Sequence, residues 1–265
     1  IEKKFYNENL VVYALDVGKG FAMKAGRPGS YLFARARGAG SFYDVPLSVM
    51  KTDVEQGYIY LAIKIISSKT KTLIGENEKF ILRGPYRNGL HGLSSITGKK
   101  GKKQKILIIA KGIGIAPGIL VSQSLGERAS VDMVIDMEKI SKEFIRDFID
   151  EQPHADAPNG EEKENAGVQY VSLTDKDADR KLEKLMQKKK YDSVILLVSD
   201  YYIEHFGNLI KKVLPGADLA VSNNFHICCG EGLCGSCSID TSGGDSIKMC
   251  KCQLKGEEFL NNVFR

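Results

Sequence analysis

The sequence predicts a chain of three parts: an antiparallel β-barrel, a parallel-sheet α/β domain and a small C-terminal module. Residues 1–98 carry short apolar runs with a period of two and no helical stripe, as antiparallel strands do. Residues 105–223 alternate continuous apolar runs with helical stretches, which indicates a parallel sheet. All six cysteines lie in the remaining segment, residues 224–265.

The N-terminal runs are LVVYALDV, SYLFARARG, DVPLSVMK, GYIYLAIKIISS and KFILRGPY, separated by turns that contain glycine. Their alternation favours a small barrel over residues 1–98. Residues 99–104 follow as a basic linker, and the lysines at positions 99, 100, 102, 103 and 105 equal the whole net charge of +5. Because no aromatic residues interleave with these lysines, we expect a solvated linker and no nucleic-acid partner.

In the α/β region, the strand-like runs KILIIA, VDMVID, VQYVSL and SVILLVS alternate with helical stretches around 138–150 and 176–190. Residues 150–167 are polar and are expected to form a mobile surface insertion. Gly112 and Gly114 lie where the first strand turns into a helix, so the backbone N–H groups there are candidates to face a pyrophosphate. A purely steric need for glycine in a tight turn is the alternative interpretation.

The cysteines carry the most specific motif. Cys229, Cys234 and Cys237 form C-x4-C-x2-C, and Cys250 or Cys252 follows, which is the spacing of plant-type 2Fe-2S ligation. Glycines between them permit a tight loop with N–H groups aimed at the cluster. Cys252 is the preferred fourth ligand and Cys250 the alternative. A zinc site, the competing interpretation, usually pairs two C-x2-C knuckles, and only one exists here.

Composition restricts the class of protein further. With 265 residues and 43% hydrophobic residues, the chain has enough apolar material for one large or two ordinary domains and is not a disordered chain. No apolar run approaches the roughly 20 residues that span a bilayer, and the start shows no leader pattern. We therefore expect a cytoplasmic protein with no membrane association, in which crowded thiols bind metal instead of forming disulfides.

The segments PLSVMKTDVEQGYIYLAIKI, FILRGPYRNG, KILIIAKGIGIAPG and CGEGLCGSC together resemble the ferredoxin-reductase-like family. Within it, the chain is similar to the iron-sulfur flavoprotein subunits of bacterial dihydroorotate dehydrogenase and to the small subunits of NADH-dependent ferredoxin:NADP oxidoreductase. The resemblance implies that the barrel holds FAD, that the α/β domain receives NAD(P)H, and that the 2Fe-2S cluster passes electrons to a catalytic oxidoreductase subunit in a hetero-oligomer. Ferredoxin is a further candidate partner.

The resemblance also implies particular cofactor-binding residues. For the flavin these are Pro46, Leu47, Ser48, Ile63, Lys64, Ile65, Lys69 and Thr70. Gly112 and Gly114 would serve the pyridine nucleotide, and Cys229, Cys234 and Cys237 with Cys252, or Cys250, the cluster.

The chain departs from the family pattern at several of these positions. The family's arginine before Pro-x-Ser is replaced by Asp44-Val45, so Arg35, Arg37 or Arg83 would have to supply its charge. The family's Cys-Gly-Pro after the last core strand is replaced by residues 199–201, Ser-Asp-Tyr, and its Gly-Arg by residues 136–137, Asp-Met.

Three functions compete on these observations. The leading hypothesis is an electron-transfer subunit that links NAD(P)H, FAD and the 2Fe-2S cluster to a catalytic partner. The alternative is a non-catalytic, cluster-bearing adapter with a degenerate nucleotide site, which the departures favour. A zinc-stabilised nucleic-acid-binding protein, based on the lysine run and the thiols, is the third.

Overall fold

The structure is a computed structural model that describes residues 2–75, 79–98, 103–138, 140–150, 167–241 and 243–264. Most of the predicted linker, and residues 151–166 of the insertion predicted at 150–167, lie outside these ranges. The strands are β1 (Glu2–Asn7), β2 (Leu10–Asp16), β3 (Tyr31–Ala36), β4 (Val45–Ser48), β5 (Lys51–Asp53), β6 (Tyr58–Lys64), β7 (Phe80–Tyr86), β8 (Leu90–His91), β9 (Gln104–Lys111), β10 (Ala129–Asp136), β11 (Val168–Tyr170), β12 (Ser193–Leu197), β13 (Asp218–Ser222), β14 (Ser238–Asp240) and β15 (Ser246–Lys248).

The helices are short in the barrel and longer in the α/β domain. They are α1 (Lys19–Ala25), α2 (Ser68–Leu73), α3 (Leu93–Thr97), α4 (Ile115–Leu125), α5 (Lys142–Ile145), α6 (Ala178–Lys189), α7 (Asp200–Val213) and α8 (Gly256–Val263). A π-helical turn, Arg146–Asp150, continues α5.

The N-terminal part consists of two antiparallel sheets, with strand orders β1-β2-β6-β5 and β4-β3-β7. The predicted period of two places one face of each strand inside, where Tyr13 lies opposite Leu61 and Val11 opposite Ile63. All four side chains are at most 1% exposed. The antiparallel barrel is confirmed, and its core is a single apolar cluster built from both sheets.

The α/β domain has a parallel sheet in the order β11-β10-β9-β12-β13, to which β8 adds an antiparallel edge strand. Residues 106–110 of the central strand β9 are completely buried because helices cover both faces of the sheet. The predicted parallel sheet is confirmed. The edge pairing of His91 with Val221 takes β8 out of the barrel, although the sequence pattern had placed this segment there.

The C-terminal segment packs onto the α/β domain instead of standing alone. Strands β14 and β15 form a hairpin beside the cysteine loop. Phe259 and Leu260 of α8, together with Met249 and Cys250, belong to the same apolar cluster as β12 and α7. The segment therefore draws much of its stability from this shared core.

The barrel and the α/β domain also share a core. Tyr6 packs edge-on against Phe144 with ring centroids 5.3 Å apart, and its hydroxyl donates to Asp147 at 2.8 Å. On another side, the Gln123 amide donates to the Thr52 carbonyl at 3.1 Å. These contacts fix the two parts against each other and define the cleft between them.

Among the described residues, no helix combines the length and the apolar character needed to cross a membrane.

Candidate functional site

A cleft of about 660 Å³ separates the barrel from the α/β domain. Strands β4 and β6 form its barrel side, and the turn after β9 and the carboxyl ends of β12 and β13 form the other. Ligands of open α/β sheets bind outside the carboxyl ends of the strands, where the strand order reverses. The order β10-β9-β12 reverses at this point, so the cleft lies where the fold places a ligand.

Most of the predicted flavin residues line this cleft. Pro46, Leu47, Ser48, Lys64 and Thr70 all lie on its wall. Strand β4 carries the first three of these residues and β6 carries Lys64, whereas Thr70 lies on α2.

Three other predicted residues lie elsewhere. Ile63 is 1% exposed and packs inside the barrel, and Ile65 packs against the same cluster. They face away from Lys64 because successive side chains of a strand point to opposite faces. The Lys69 ammonium lies 4.5 Å from the centre of the Phe42 ring, on the barrel surface.

Thr70 lines the cleft, but its hydroxyl already makes hydrogen bonds within the chain. The oxygen accepts hydrogen bonds from the N–H groups of Ile66 and Ser67, at 3.1 and 3.0 Å, and donates to the Ser67 carbonyl at 2.9 Å. The Ser67 hydroxyl in turn accepts from the Thr70 N–H, which completes a capping box at the start of α2. Thr70 therefore shapes the cleft wall and has little capacity left to bind a phosphate.

Asp44 forms ion pairs with two neighbouring arginines. Its carboxylate accepts from Arg35 at 2.7 Å and from Arg83 at 3.3 Å, and its side chain is 8% exposed. Two of the three arginines proposed to replace the family's phosphate-binding residue are thus paired with the aspartate that occupies that residue's place. Asp44 therefore offsets the charge of both guanidinium groups.

The glycine turn after β9 is sterically demanding. A Cβ on Gly114 would lie well inside the van der Waals radius of the Leu197 carbonyl oxygen, because the turn passes directly over β12. Gly114 lines the cleft, and Gly112 is buried with a φ of +54°. The close approach at Gly114 and the positive φ of Gly112 support the steric interpretation of these glycines, and the turn opens onto the cleft.

The two cleft lysines each face a carboxylate. The Lys111 ammonium donates to Asp136 at 2.5 Å, and Lys64 pairs with Glu138 at 3.5 Å. Burial alone would raise the pKa of Asp136, but hydrogen bonds from Lys111 and from the N–H groups of Leu173 and Glu138 hold it below its usual value. The positive charges of the cleft are therefore balanced within the chain.

Asp200 adds a second carboxylate to the cleft wall beside that of Glu138, at the start of α7. The Asn224 amide donates to it at 2.9 Å and to the Val198 carbonyl at 2.8 Å. The Ser-Asp-Tyr segment that replaces the family's Cys-Gly-Pro thus places an acid beside the carboxyl end of β12.

Four thiols of the cysteine loop lie in two pairs. Side-chain contacts with Cys234 and with Cys237 shift the pKa values of Cys229 and Cys250, respectively, and the Cys250 N–H donates to the Cys237 sulfur at 3.4 Å. The loop's N–H groups converge on the same sulfurs: the Gly232 N–H donates to Cys250, and the Glu231 N–H donates to Cys229 at 3.3 Å. Backbone N–H groups that point at the thiol sulfurs favour negative charge there.

The same contacts shift the thiol pKa values in opposite directions. The Cys234 N–H and its neighbours lower the pKa of Cys229 to about 6. Burial and the hydrogen bond with Cys237 raise the pKa of Cys250 to about 11. Cys252, the preferred fourth ligand in the sequence, has no comparable contact with another thiol among the described residues.

In the part of the chain that the structure describes, no three histidine, cysteine, aspartate or glutamate side chains are arranged to hold a single metal ion.

Two asparagine amides join the cleft to the cysteine loop. Asn223 lines the cleft, and its amide donates to the Met249 carbonyl at 3.0 Å. The Asn88 amide donates to the next carbonyl, that of Cys250, at 2.9 Å. The loop is therefore fixed directly against the residues that line the cleft.

Arg83 fixes the other side of the loop. It donates to the Cys229 carbonyl and to the Tyr86 hydroxyl, both at 2.6 Å, and the Tyr86 hydroxyl donates to Glu231. Tyr86 also stacks on Tyr31 with ring centroids 5.3 Å apart. The barrel strand β7 thus holds the first cysteine of the motif in place.

Comparison with solved structures places this geometry among known folds. The NADH-dependent reduced ferredoxin-NADP oxidoreductase aligns with a TM-score of 0.69 at 18% identity, over 97% of this chain and 87% of that one. The ferredoxin reductase of carbazole 1,9a-dioxygenase aligns with a TM-score of 0.55 at 12% identity, over 84% of this chain and 67% of that one. The chain has the ferredoxin-reductase-like fold.

Other comparisons add less. The ferredoxin-NADP+ reductase from Plasmodium falciparum shares this reductase-like fold with a TM-score of 0.51 at 14% identity, over 80% of this chain and 87% of that one. An uncharacterised protein from the adh 3' region of Clostridium beijerinckii is 25% identical over 285 residues, which cover 98% of this chain and 83% of the relative. No protein-family model matches the sequence.

Sequence reasoning missed several residues that the reductase-like fold brings to the cleft. Glu138, Asn223 and Asn224 line it, although none of them belongs to a motif. One general signal was present: each follows a predicted or actual parallel strand, and side chains at the carboxyl ends of parallel strands meet at one edge.

Proposed function

We propose that this chain is an electron-transfer subunit of an oxidoreductase complex, in which FAD in the cleft and a 2Fe-2S cluster on the cysteine loop connect NAD(P)H with a catalytic partner subunit. When bound, the flavin exchanges electrons in pairs with the nucleotide, and the cluster carries them singly. The similarity to the NADH-dependent reduced ferredoxin-NADP oxidoreductase supports this proposal.

The observation that carries the proposal is the pairing of the thiols. Four cysteine ligands hold a 2Fe-2S cluster, two on each iron, so the thiols are expected in two pairs and not around one point. Cys229 with Cys234, and Cys237 with Cys250, provide such pairs. A zinc ion instead requires four ligands around one centre, and no such group occurs among the described residues.

The cleft fits a flavin ring better than it fits a pyrophosphate. Its volume of about 660 Å³ lies within the usual range of cofactor pockets. Pro46 and Ser48 would hold the ring from the barrel side, with Lys64 beside it. Since Asp44 engages Arg35 and Arg83, the phosphates would depend on Lys64 and backbone N–H groups, and we expect FAD to bind more weakly than a free arginine would allow.

The exposure of the cysteine loop supports a partner subunit. Leu233 at the tip of the loop is 83% exposed, and Cys234 is exposed beside it. A cluster held there would lie at the surface, within reach of an acceptor on another chain. We infer that the catalytic subunit, or ferredoxin, binds over this loop.

The test is a visible spectrum of protein purified without oxygen, with analysis of iron, sulfide and zinc and chromatography of released flavin. Two irons, one FAD and bleaching by NADH are the expected result. Zinc without iron would refute the proposal.

Two matched variants test which cysteine is the fourth ligand of the cluster. In Cys250→Ser the second thiol pair is broken, so we expect the iron content to fall to half or less and the visible bands to be lost. Cys252→Ser removes a thiol outside the pairs and should keep both. The opposite outcome would assign the ligand to Cys252, as the sequence spacing alone preferred.

A second candidate function is the non-catalytic adapter. The engagement of both arginines by Asp44 favours it, because it removes the cations that a dinucleotide needs. Titration with NADH and then dithionite separates the two functions. An adapter would show cluster absorbance that only dithionite bleaches, whereas the electron-transfer subunit would respond to NADH.

A further inference from the structure

Glu138 occupies an unusual position on the wall of the cleft. It follows β10 by two residues and has a φ of +50°, in the left-handed region that glutamate rarely adopts. Its N–H donates to the Asp136 carboxylate at 3.0 Å. Because Lys111 and the Leu173 N–H also hold that carboxylate, at 2.5 and 2.8 Å, the backbone of Glu138 is tied to a buried anchor.

This backbone places the Glu138 carboxylate directly against Gly112. A Cβ on Gly112 would collide with the Oε2 atom, so the glutamate fills the space that the glycine leaves open. The turn that contains Gly112 and opens α4 has no side-chain cap of its own and no acidic residue in the first turn of the helix. The Glu138 carboxylate is thus the anion that lies against this turn.

The Glu138 carboxylate also forms an ion pair with a lysine on the opposite wall of the cleft. The Lys64 ammonium of the barrel reaches it across the cleft at 3.5 Å, with 31% and 37% of the two side chains exposed. A pair that is this long and this exposed contributes little stability and exchanges readily. Lys64 is therefore available to another anion once Glu138 moves away.

We propose that Glu138 determines which ligands bind in the cleft. Its carboxylate occupies the position against Gly112 that a phosphate of a dinucleotide would occupy. A dinucleotide must therefore displace this carboxylate and form the ion pair with Lys64 in its place. This inference rests on the proposed function, because it assumes that the cleft receives a dinucleotide. Two negative charges at one position repel each other strongly. The glutamate therefore lowers the affinity of the cleft for every ligand that carries a pyrophosphate.

The experiment is calorimetric titration of the full chain with ADP-ribose, which carries the pyrophosphate and has no redox chemistry. The variants are Glu138→Gln, which keeps the shape and removes the charge, and Glu138→Gly, which suits the left-handed backbone and removes the side chain. Glu55→Gln is the control, since it removes an equal charge from an exposed glutamate whose nearest cation is Lys19 at 3.6 Å.

We expect both Glu138 variants to bind ADP-ribose about tenfold more tightly than the wild type, the change for about 1.4 kcal/mol of repulsion removed. The control should stay within about twofold, because Glu55 is not among the residues that line the cleft and its exposed charge is screened by solvent and salt. Equal dissociation constants in all four proteins would overturn the proposal. Weaker binding by Glu138→Gln would also overturn it, because the glutamate would then be a ligand-binding group.

The same preparations distinguish a failure of this inference from a failure of the proposed function. Flavin, iron and sulfide are measured in each before titration. If the cofactors are present and the affinities are equal, Glu138 is not the determinant and the electron-transfer role stands. If the cofactors are absent and the variants still bind tenfold more tightly, the inference stands and the electron-transfer role fails.

Discussion

His91 should make the stability of this protein depend strongly on pH. Its ring is completely buried where β8 joins β13, and it stacks on Phe259 with ring centroids 5.0 Å apart. Neither ring nitrogen has a hydrogen-bond partner of its own among the described residues. Burial therefore lowers the pKa of His91 from 6.5 to about 4, and the nearby Asn223 amide offsets only part of this effect.

The direction of the effect follows from proton binding. Between pH 6.5 and 4 the unfolded chain carries a proton on His91 and the folded chain does not, so the free energy of unfolding falls as the pH falls. The stability is complete above pH 6.5 and is lost on the way to pH 4. At about 1.4 kcal/mol for each pH unit, a shift of this size corresponds to about 3.5 kcal/mol at most, of which about 3 kcal/mol is lost by pH 4.

The assay is urea denaturation at intervals from pH 7.5 to 4, on the wild type and on His91→Leu. We expect the wild type to lose about 3 kcal/mol more than the variant over this range, because the leucine cannot take up a proton in the unfolded state. His205→Leu, which changes an exposed histidine on α7, keeps His91 and should keep the steep loss. Parallel pH profiles for the wild type and His91→Leu would refute the reasoning.

Two further substitutions test the packing of the glycine turn and the ion pairs of Asp44. Gly114→Ala should destabilise the fold by about 1–3 kcal/mol, because the new methyl group collides with the Leu197 carbonyl; Gly20→Ala, where nothing lies within 4 Å of the Cβ position, is the control, and equal melting temperatures would contradict the steric account. Asp44→Asn should cost about 1–3 kcal/mol in chemical denaturation, since it leaves Arg83 and its neighbouring arginine with a weaker acceptor. An unchanged midpoint would show that solvent already satisfies these guanidinium groups.

The main strands of the barrel and of the parallel sheet could be predicted from the sequence because apolar periodicity is a local property. The buried run at residues 106–110 became the central strand, and the alternating runs before residue 87 became the barrel sheets. Strand β8 could not be assigned in this way. Two residues carry no periodicity, and the pairing of His91 with Val221 joins positions that are far apart in the chain.

The candidate site was predicted only in part for the same reason. Pro46, Ser48 and Lys64 reach the cleft as the motif implied. The partners of Asp44 could not be foreseen, because an acid in a phosphate-binding motif predicts repulsion until the fold brings arginines to it. The contacts of Cys250 likewise depend on how the chain returns to the loop after β15.

The sequence by itself determined the order of the barrel and the parallel sheet, the glycine turn after the first parallel strand, and the C-x4-C-x2-C motif, because each depends on residues that are close in the chain. Only the tertiary structure decided which charges face one another: Arg83 and the Cys229 carbonyl are 146 residues apart, and Lys64 and Glu138 are 74 apart. Such pairs form when the packing of the barrel against the α/β domain brings distant strand ends together. The arrangement of charges in the cleft depends on that packing, so it cannot be predicted from any local sequence pattern.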